Sequence, residues 1–274
     1  MIDSAFRAIV LMTLLLFLQS SAQSQMIVAH RGASYDAPEN TLAAFRLAWQ
    51  QKSDGIEGDF YLTSDQKIVC IHDKTTKKTA GQTLVVEDST FAQLRELEYG
   101  SWKDAKFRGE PIPTLEEVIE TVPRGKKLVI ELKSKQSIVP VLVKQLTEHA
   151  EKEIEFLIIA FDEATAAACK SRLPNVQVHW LTSFDDKVSP PTPTAAQIAA
   201  TVKRIGVDGV GMQANTSIID ETFVETLRKG GCNEFHVWTV DSTEDAKRFQ
   251  QLGAMGITTN IPAVIRDAIE DDAQ

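Results

Sequence analysis

The sequence has little that would bind nucleic acid, form disulfides or cross a membrane along its main length. Of its 274 residues, 38 are acidic and 29 basic, for a net charge of −9. A field of that sign repels a phosphate backbone and argues against a nucleic-acid partner. Cysteine is scarce: Cys70, Cys169 and Cys232 are the whole set, and none stands in a C-x-x-C pair. That excludes a disulfide framework and a cysteine zinc site. Cys70, in the apolar run Ile68 to Ile71, and Cys169, in an alanine-rich stretch, read as small buried apolar residues. Beyond residue 18 no segment is apolar for long enough to span a bilayer. With 43% hydrophobic and 24% charged residues the disordered and fibrous classes are excluded as well. The length allows one large core or two modest domains.

What is present at the N-terminus is a targeting pattern. Residues 8–18 form an uncharged apolar run, preceded by Arg7 and followed by Gln19, Ser20, Ser21, Ala22 and Gln23. This is the layout of a signal peptide, with cleavage expected after Ala22. As a helix the run would span roughly 16 Å, about half of a bilayer's hydrocarbon core. The expectation is a signal peptide over residues 1–22 and a mature chain exported to the periplasm or the medium, without a stable membrane anchor.

From residue 26 onward, Val/Ile-rich runs alternate with amphipathic stretches. Strands are expected at 26–30, 55–60, 128–132, 156–160, 176–181, 208–212, 235–240 and 256–259. Helices are expected at about 41–52, 114–122, 137–151, 163–172, 195–205, 220–229 and 243–252. Strands alternating with helices imply a parallel sheet, and an eightfold repeat that closes is a TIM barrel, here over residues 26–270. Residues 68–72 read as a hairpin extension of the second strand. From 73 to 113 the connection far exceeds the usual two to six residues, so it reads as an insertion, with one short helix at Thr90 to Glu98. Helix starts are marked by Asn40, Asp162, Thr114 with Glu117, and Thr90 with Gln93. The proline-rich stretch 189–194 reads as an extended surface loop.

In such a barrel the chemistry sits at the carboxyl ends of the strands. Those ends carry His30, Arg31 and Gly32; Glu57 and Asp59; His72 and Asp73; Glu131 and Lys133; and Trp238. Side chains two apart on a strand share a face, so Glu57 with Asp59, and Glu131 with Lys133, point the same way. If that way is inward, three carboxylates converge and require a cation or partial protonation. An all-oxygen set suits a hard divalent ion, Ca²⁺ or Mg²⁺, and the H-E-x-x-H zinc pattern is absent. His30 and His72 have the titration range of a general acid and base. Arg31 and Lys133 suit a small phosphate-bearing substrate. His149, His179 and His236 have no comparable company and read as structural.

Taken together, His30-Arg31-Gly32, Pro38-Glu39-Asn40-Thr41, Glu57-x-Asp59, His72-Asp73, Ile112 to Glu117, Ile130 to Lys133, Phe161-Asp162 and Val237 to Val240 resemble the signature of the glycerophosphodiester phosphodiesterase family. The resemblance covers about residues 26–265. It implies a metal-dependent TIM barrel with an insertion after its second strand, hydrolysing glycerophosphodiesters to glycerol 3-phosphate and an alcohol. It further implies that His30 and His72 are the acid/base pair, that Glu57, Asp59 and Glu131 hold the metal, and that Arg31 and Lys133 contact the phosphate. Trp238 would pack on the glycerol as an exposed indole, and Glu39 would steady the first loop. The chain departs from the family at Asn260, where an acidic residue is common. Two other readings fit these features less well. A phospholipase acting on whole lipids would need an apolar or basic docking surface, whereas the 73–113 stretch mixes charges. A non-catalytic binding module would be expected to lack a histidine or a metal ligand, and all are present.

Overall fold

A computed structural model describes residues 26–271; the expected signal peptide lies outside the described residues. Eight parallel strands form the barrel: β1 (Met26–His30), β2 (Gly55–Leu62), β4 (Lys127–Leu132), β5 (Glu155–Ala160), β6 (Gln177–Thr182), β7 (Gly209–Gln213), β8 (Glu234–Trp238) and β9 (Gly256–Thr259). Each is hydrogen-bonded to the next in chain order, and the β1–β2 and β1–β9 pairings close the ring. The short β3 (Ile68–Cys70) runs antiparallel on β2, with Phe60 opposite Cys70. The fold is the TIM barrel expected from the strand count.

The helices between strands are α1 (Leu42–Gln50), α4 (Leu115–Thr121), α5 (Val139–Glu148), α6 (Glu163–Arg172), α7 (Ala195–Ile205), α8 (Glu221–Lys229) and α9 (Thr243–Gln251). A last helix, α10 (Pro262–Asp271), closes the chain and was not anticipated from the sequence. Asp162 and Thr114 cap their helices as expected, through Thr165 N and Glu117 N. Asn40 does not cap α1. Thr41 does, accepting from Ala44 N, because Asn40 adopts a left-handed conformation (φ 59°) that turns its amide away from the helix. No helix of the described residues is long and apolar enough to cross a membrane.

Two apolar layers follow from the two-residue period of each strand. Ile56, Phe60, Ile130, Leu132, Ile158, Val210, Phe235 and Val237 face the helices and join their buried residues in the main core. Val28, Val129, Leu157, Ile159 and Leu181, of opposite parity, form a separate cluster inside the barrel, with Met26 and Trp238 against it. Glu57, Asp59 and Glu131 share the inner parity, so the alternation that buries the helix-facing layer sends the acids inward. Residues 71–113 contain α2 (Lys77–Ala80) and α3 (Phe91–Arg95). Ile71, Val86, Leu94, Tyr99 and Ile112 of this segment pack on Tyr61 and Val69 as a small core of their own. It is joined to α4 by paired bonds of 2.7 Å from Arg95 to Glu117.

The inner layer also contains His179 and His236, buried and stacked with ring centroids 5.2 Å apart. Room for them comes from Gly211, where a Cβ would lie 2.3 Å from His236 Nε2 and 2.6 Å from Leu181 Cδ2. Gly211→Ala is therefore expected to overpack the barrel interior and lower stability by about 1–3 kcal/mol, measured by denaturant unfolding.

Candidate active site

The carboxyl end of β1 turns sharply. Arg31 and Gly32 both have left-handed φ, 56° and 78°, and a Cβ on Gly32 would sit 2.6 Å from the Ala44 carbonyl carbon. Glycine is thus required there by both conformation and space. The turn aims the Arg31 backbone N–H at Glu57 Oε2, 2.9 Å away. Parallel register sets His30 beside Glu57 and Asp59 beside Glu131. As a result one carboxylate oxygen from each of Glu57, Asp59 and Glu131 lies within 4.8 Å of the others.

Two cations stand among the three acids. Arg31 Nε is 3.2 Å from Asp59 Oδ2, and Lys133 Nζ is 3.4 Å from Asp59 Oδ1 and 2.7 Å from Glu131 Oε1. Burial alone would push the Asp59 carboxyl up, but Arg31 and Lys133 hold it below its ordinary value. Asn40, missed as a site residue, adds to this. Its Nδ2 donates to Asp59 Oδ2 at 2.8 Å, while its Oδ1 accepts from Asp59 N and Cys70 Sγ, each at 3.1 Å. Glu57 receives no side-chain cation and its Oε1 is buried without a partner. Burial first, then Asp59 and Glu131, raise its carboxyl well above the usual range. A buried, orphaned carboxylate oxygen beside two others is what a hard divalent cation would satisfy, so the residues present fit a metal.

The two histidines differ in their partners. His30 Nδ1 lies 2.8 Å from Asn260 Oδ1, and burial, then Arg31, lower its pKa to about 4. His72 follows β3, where Ile71 N still bonds Asp59 O, and its Nδ1 lies 2.7 Å from Asp73 Oδ1. Both line one cavity of about 160 Å³, together with Arg31, Glu57, Glu131, Lys133, Phe161, His236 and Trp238. Of the residues expected to act as acid or base, hold the metal or contact substrate, only Asp59 is not on its wall. It sits 1% exposed, behind Arg31 and Lys133.

Trp238 is half-buried rather than an exposed indole. It meets Phe161 edge to face, with centroids 5.5 Å apart, and its Nε1 is buried without a partner. It packs against the inner apolar cluster and also lines the cavity. His236, read from the sequence as structural, reaches the cavity floor. Its Nδ1 is 3.0 Å from His179 Nδ1, and His179 Nε2 is 3.2 Å from Glu234 Oε2. Inner parity on β6 and β8 was the available signal, but β7 lies between those strands, and it takes the closed barrel to bring the two rings together. Glu39 joins Arg31 (3.1 Å) to Lys78 of the insertion (2.8 Å), and Lys103 Nζ reaches Ser34 O at 2.9 Å, so the insertion clamps the first loop.

Comparison with known proteins places this arrangement. Residues 30–264 match the model of the glycerophosphoryl diester phosphodiesterase family. The chain is 34% identical over 245 residues to a glycerophosphodiester phosphodiesterase of Caldanaerobacter subterraneus subsp. tengcongensis, covering 88% of this chain and 96% of that one. It is 28% identical over 253 residues to a glycerophosphodiester phosphodiesterase of Bacillus subtilis, covering 86% and 84% respectively. Among solved structures it resembles an Oleispira antarctica phosphodiesterase in complex with the product sn-glycerol-3-phosphate, with a TM-score of 0.80 and 26% identity over 91% of this chain and 98% of that one. The protein belongs to the glycerophosphoryl diester phosphodiesterase family and is a phosphoric diester hydrolase.

Asn40→Ala is expected to leave the buried Asp59 carboxylate short of a donor. The cost should be about 1–3 kcal/mol of stability, read from denaturant midpoints.

Proposed function

We propose that the enzyme hydrolyses small glycerophosphodiesters to glycerol 3-phosphate and an alcohol, using a divalent cation, Ca²⁺ or Mg²⁺, and two histidines for proton transfer. The observation that carries this reading is the single cavity on which His30, His72, Glu57, Glu131, Arg31 and Lys133 meet. Glu57, Asp59 and Glu131 would hold the cation, which when bound supplies positive charge against the oxygens of the phosphate. Arg31 Nη1 donates to Glu39 and Nε lies 3.2 Å from Asp59 Oδ2, and Nη2 would meet a phosphate oxygen. Lys133 adds a point charge beside it. Trp238 would cover the glycerol carbons with its cavity-facing side.

The partners of the histidines suggest how they divide the work. An amide oxygen at His30 Nδ1 does little to stabilise an imidazolium, and burial beside Arg31 opposes one. His30 therefore suits the base that takes a proton from the attacking hydroxyl or water. His72 has a carboxylate, Asp73, on Nδ1, which fixes the ring with Nε2 toward the cavity, and it is left as the group that donates to the leaving alkoxide. The apolar run before residue 22 supports export to the periplasm or the medium, and N-terminal sequencing of secreted protein beginning at Gln23 would bear that out.

Chelator-stripped protein is expected to lose turnover of glycerophosphocholine, glycerophosphoethanolamine and glycerophosphoinositol, and to regain it when Ca²⁺ or Mg²⁺ is added back. Full activity in metal-free protein would refute the metal requirement. His30→Ala and His72→Ala should each lower kcat by about 10²-fold or more. The two should separate on an aryl phosphodiester, whose leaving group needs no proton. His72→Ala should recover most of its activity there, and His30→Ala should not. The reverse pattern would exchange the two roles.

A further inference from the structure

We propose that Asn260, held in place by Asp241, is a positioning residue that locks His30 in the tautomer with its proton on Nδ1 and its lone pair on Nε2. Asn260 is the first residue after β9. Its Oδ1 lies 2.8 Å from His30 Nδ1 and 2.8 Å from Ser34 Oγ. Its Nδ2 lies 2.6 Å from Asp241 Oδ2, and its backbone N donates to Asp241 Oδ1 at 2.8 Å, as does Thr259 Oγ1.

The assignment follows from what each group can do. A carboxylate only accepts, whereas a side-chain amide has one donor end and one acceptor end. With Asp241 gathering donors on both oxygens, the NH₂ of Asn260 must face it, because a flipped amide would set oxygen against oxygen at hydrogen-bond distance. The amide oxygen is then directed at Ser34 and His30. Ser34 Oγ donates to one lone pair, and His30 Nδ1 can satisfy the other only by carrying a hydrogen. Thr239 Oγ1, 3.5 Å from the same nitrogen, is too distant to compete. A neutral imidazole protonated on Nδ1 has its lone pair on Nε2, and no protein group among the described residues bonds that nitrogen. The chain Asp241, Asn260, His30 thus does with a neutral amide what a carboxylate does elsewhere: it sets the tautomer without adding charge beside the ring.

This inference rests on the reading that His30 moves a proton, and the test separates the two. In protein labelled with ¹⁵N histidine, the His30 resonances should show a protonated Nδ1 and a bare Nε2. Asn260→Ala should give a mixture of tautomers and lower kcat by about 10–100-fold, with KM unchanged. Asn260→Asp alone should also lose activity, since it sets two carboxylates against each other. The reciprocal pair Asn260→Asp with Asp241→Asn should restore the Nδ1–H tautomer of the neutral ring, because donor and acceptor are exchanged and His30 still meets an oxygen, while kcat recovers only in part because a carboxylate now adds charge beside the ring. Pure Nδ1–H resonances in Asn260→Ala, or no rescue of the tautomer by the reciprocal pair in folded protein, would overturn the proposal. A tautomer that responds as expected while kcat of His30→Ala stays normal would uphold the positioning chain and refute the proton-transfer role of His30.

Discussion

Glu57, Asp59 and Glu131 set three carboxylates against two side-chain cations at the mouth of a closed barrel, and much of the local structure answers that imbalance. Two like charges less than 5 Å apart repel by roughly 4 kcal/mol at an effective dielectric of 20, so the cluster cannot be left to itself. Asp59, the most enclosed, takes most of the compensation: Arg31 on one oxygen, Lys133 on the other and the Asn40 amide besides. Glu131 shares Lys133. Glu57 has only a backbone N–H and an orphaned oxygen, and a divalent cation there would supply the partner that oxygen lacks.

The barrel makes that convergence possible with few residues. Parallel pairing puts Glu57 beside His30 and Asp59 beside Glu131, and a shift of one residue in β2 would send both acids into the helix-facing layer and expose the core to charge. The apolar residues at Ile56, Phe60, Ile130 and Leu132 therefore protect the site's register as well as the protein's stability. The loop after β1 depends on the same arrangement. Its left-handed Arg31 and Gly32 let one residue give its backbone to Glu57 and its side chain to Asp59 and Glu39, while Lys78 and Lys103 of the insertion hold the loop from outside.

Residues whose role follows from strand period were legible in the sequence. His30, Glu57, Asp59, Glu131 and Lys133 stand where an alternating pattern and a strand end place them, and the eight strands were found for the same reason. What was not legible is whatever depends on the direction of a short polar side chain. Asn40 looks like a helix cap, and only its left-handed backbone shows that its amide belongs to Asp59. Asn260 looked like a departure, because an amide in place of an acid reads as a loss until its hydrogen-bond partners are known. Trp238 lay at the expected strand end, but its degree of burial depends on Leu181, Ile159 and Phe161 from other strands. His179 and His236 are far apart in the chain, and only the closed barrel brings them into contact.

The different surroundings of the two catalytic-site histidines follow from the charge at the cluster. His30 stands beside Glu57 in the ladder and is flanked by Arg31, so a carboxylate on its Nδ1 would add a fourth negative charge to a region already short of cations. An amide supplies the same directional acceptor without that charge, and Asp241 serves as its anchor one step farther out, where Thr259, the Asn260 backbone and the Asn260 amide supply its donors. His72 sits on the excursion from β3, with Asp73 half exposed, and water can share the charge of a carboxylate there. The neutral partner is thus found where burial is deepest and the charged partner where solvent is near, so each imidazole meets an acceptor whose charge its own surroundings can bear.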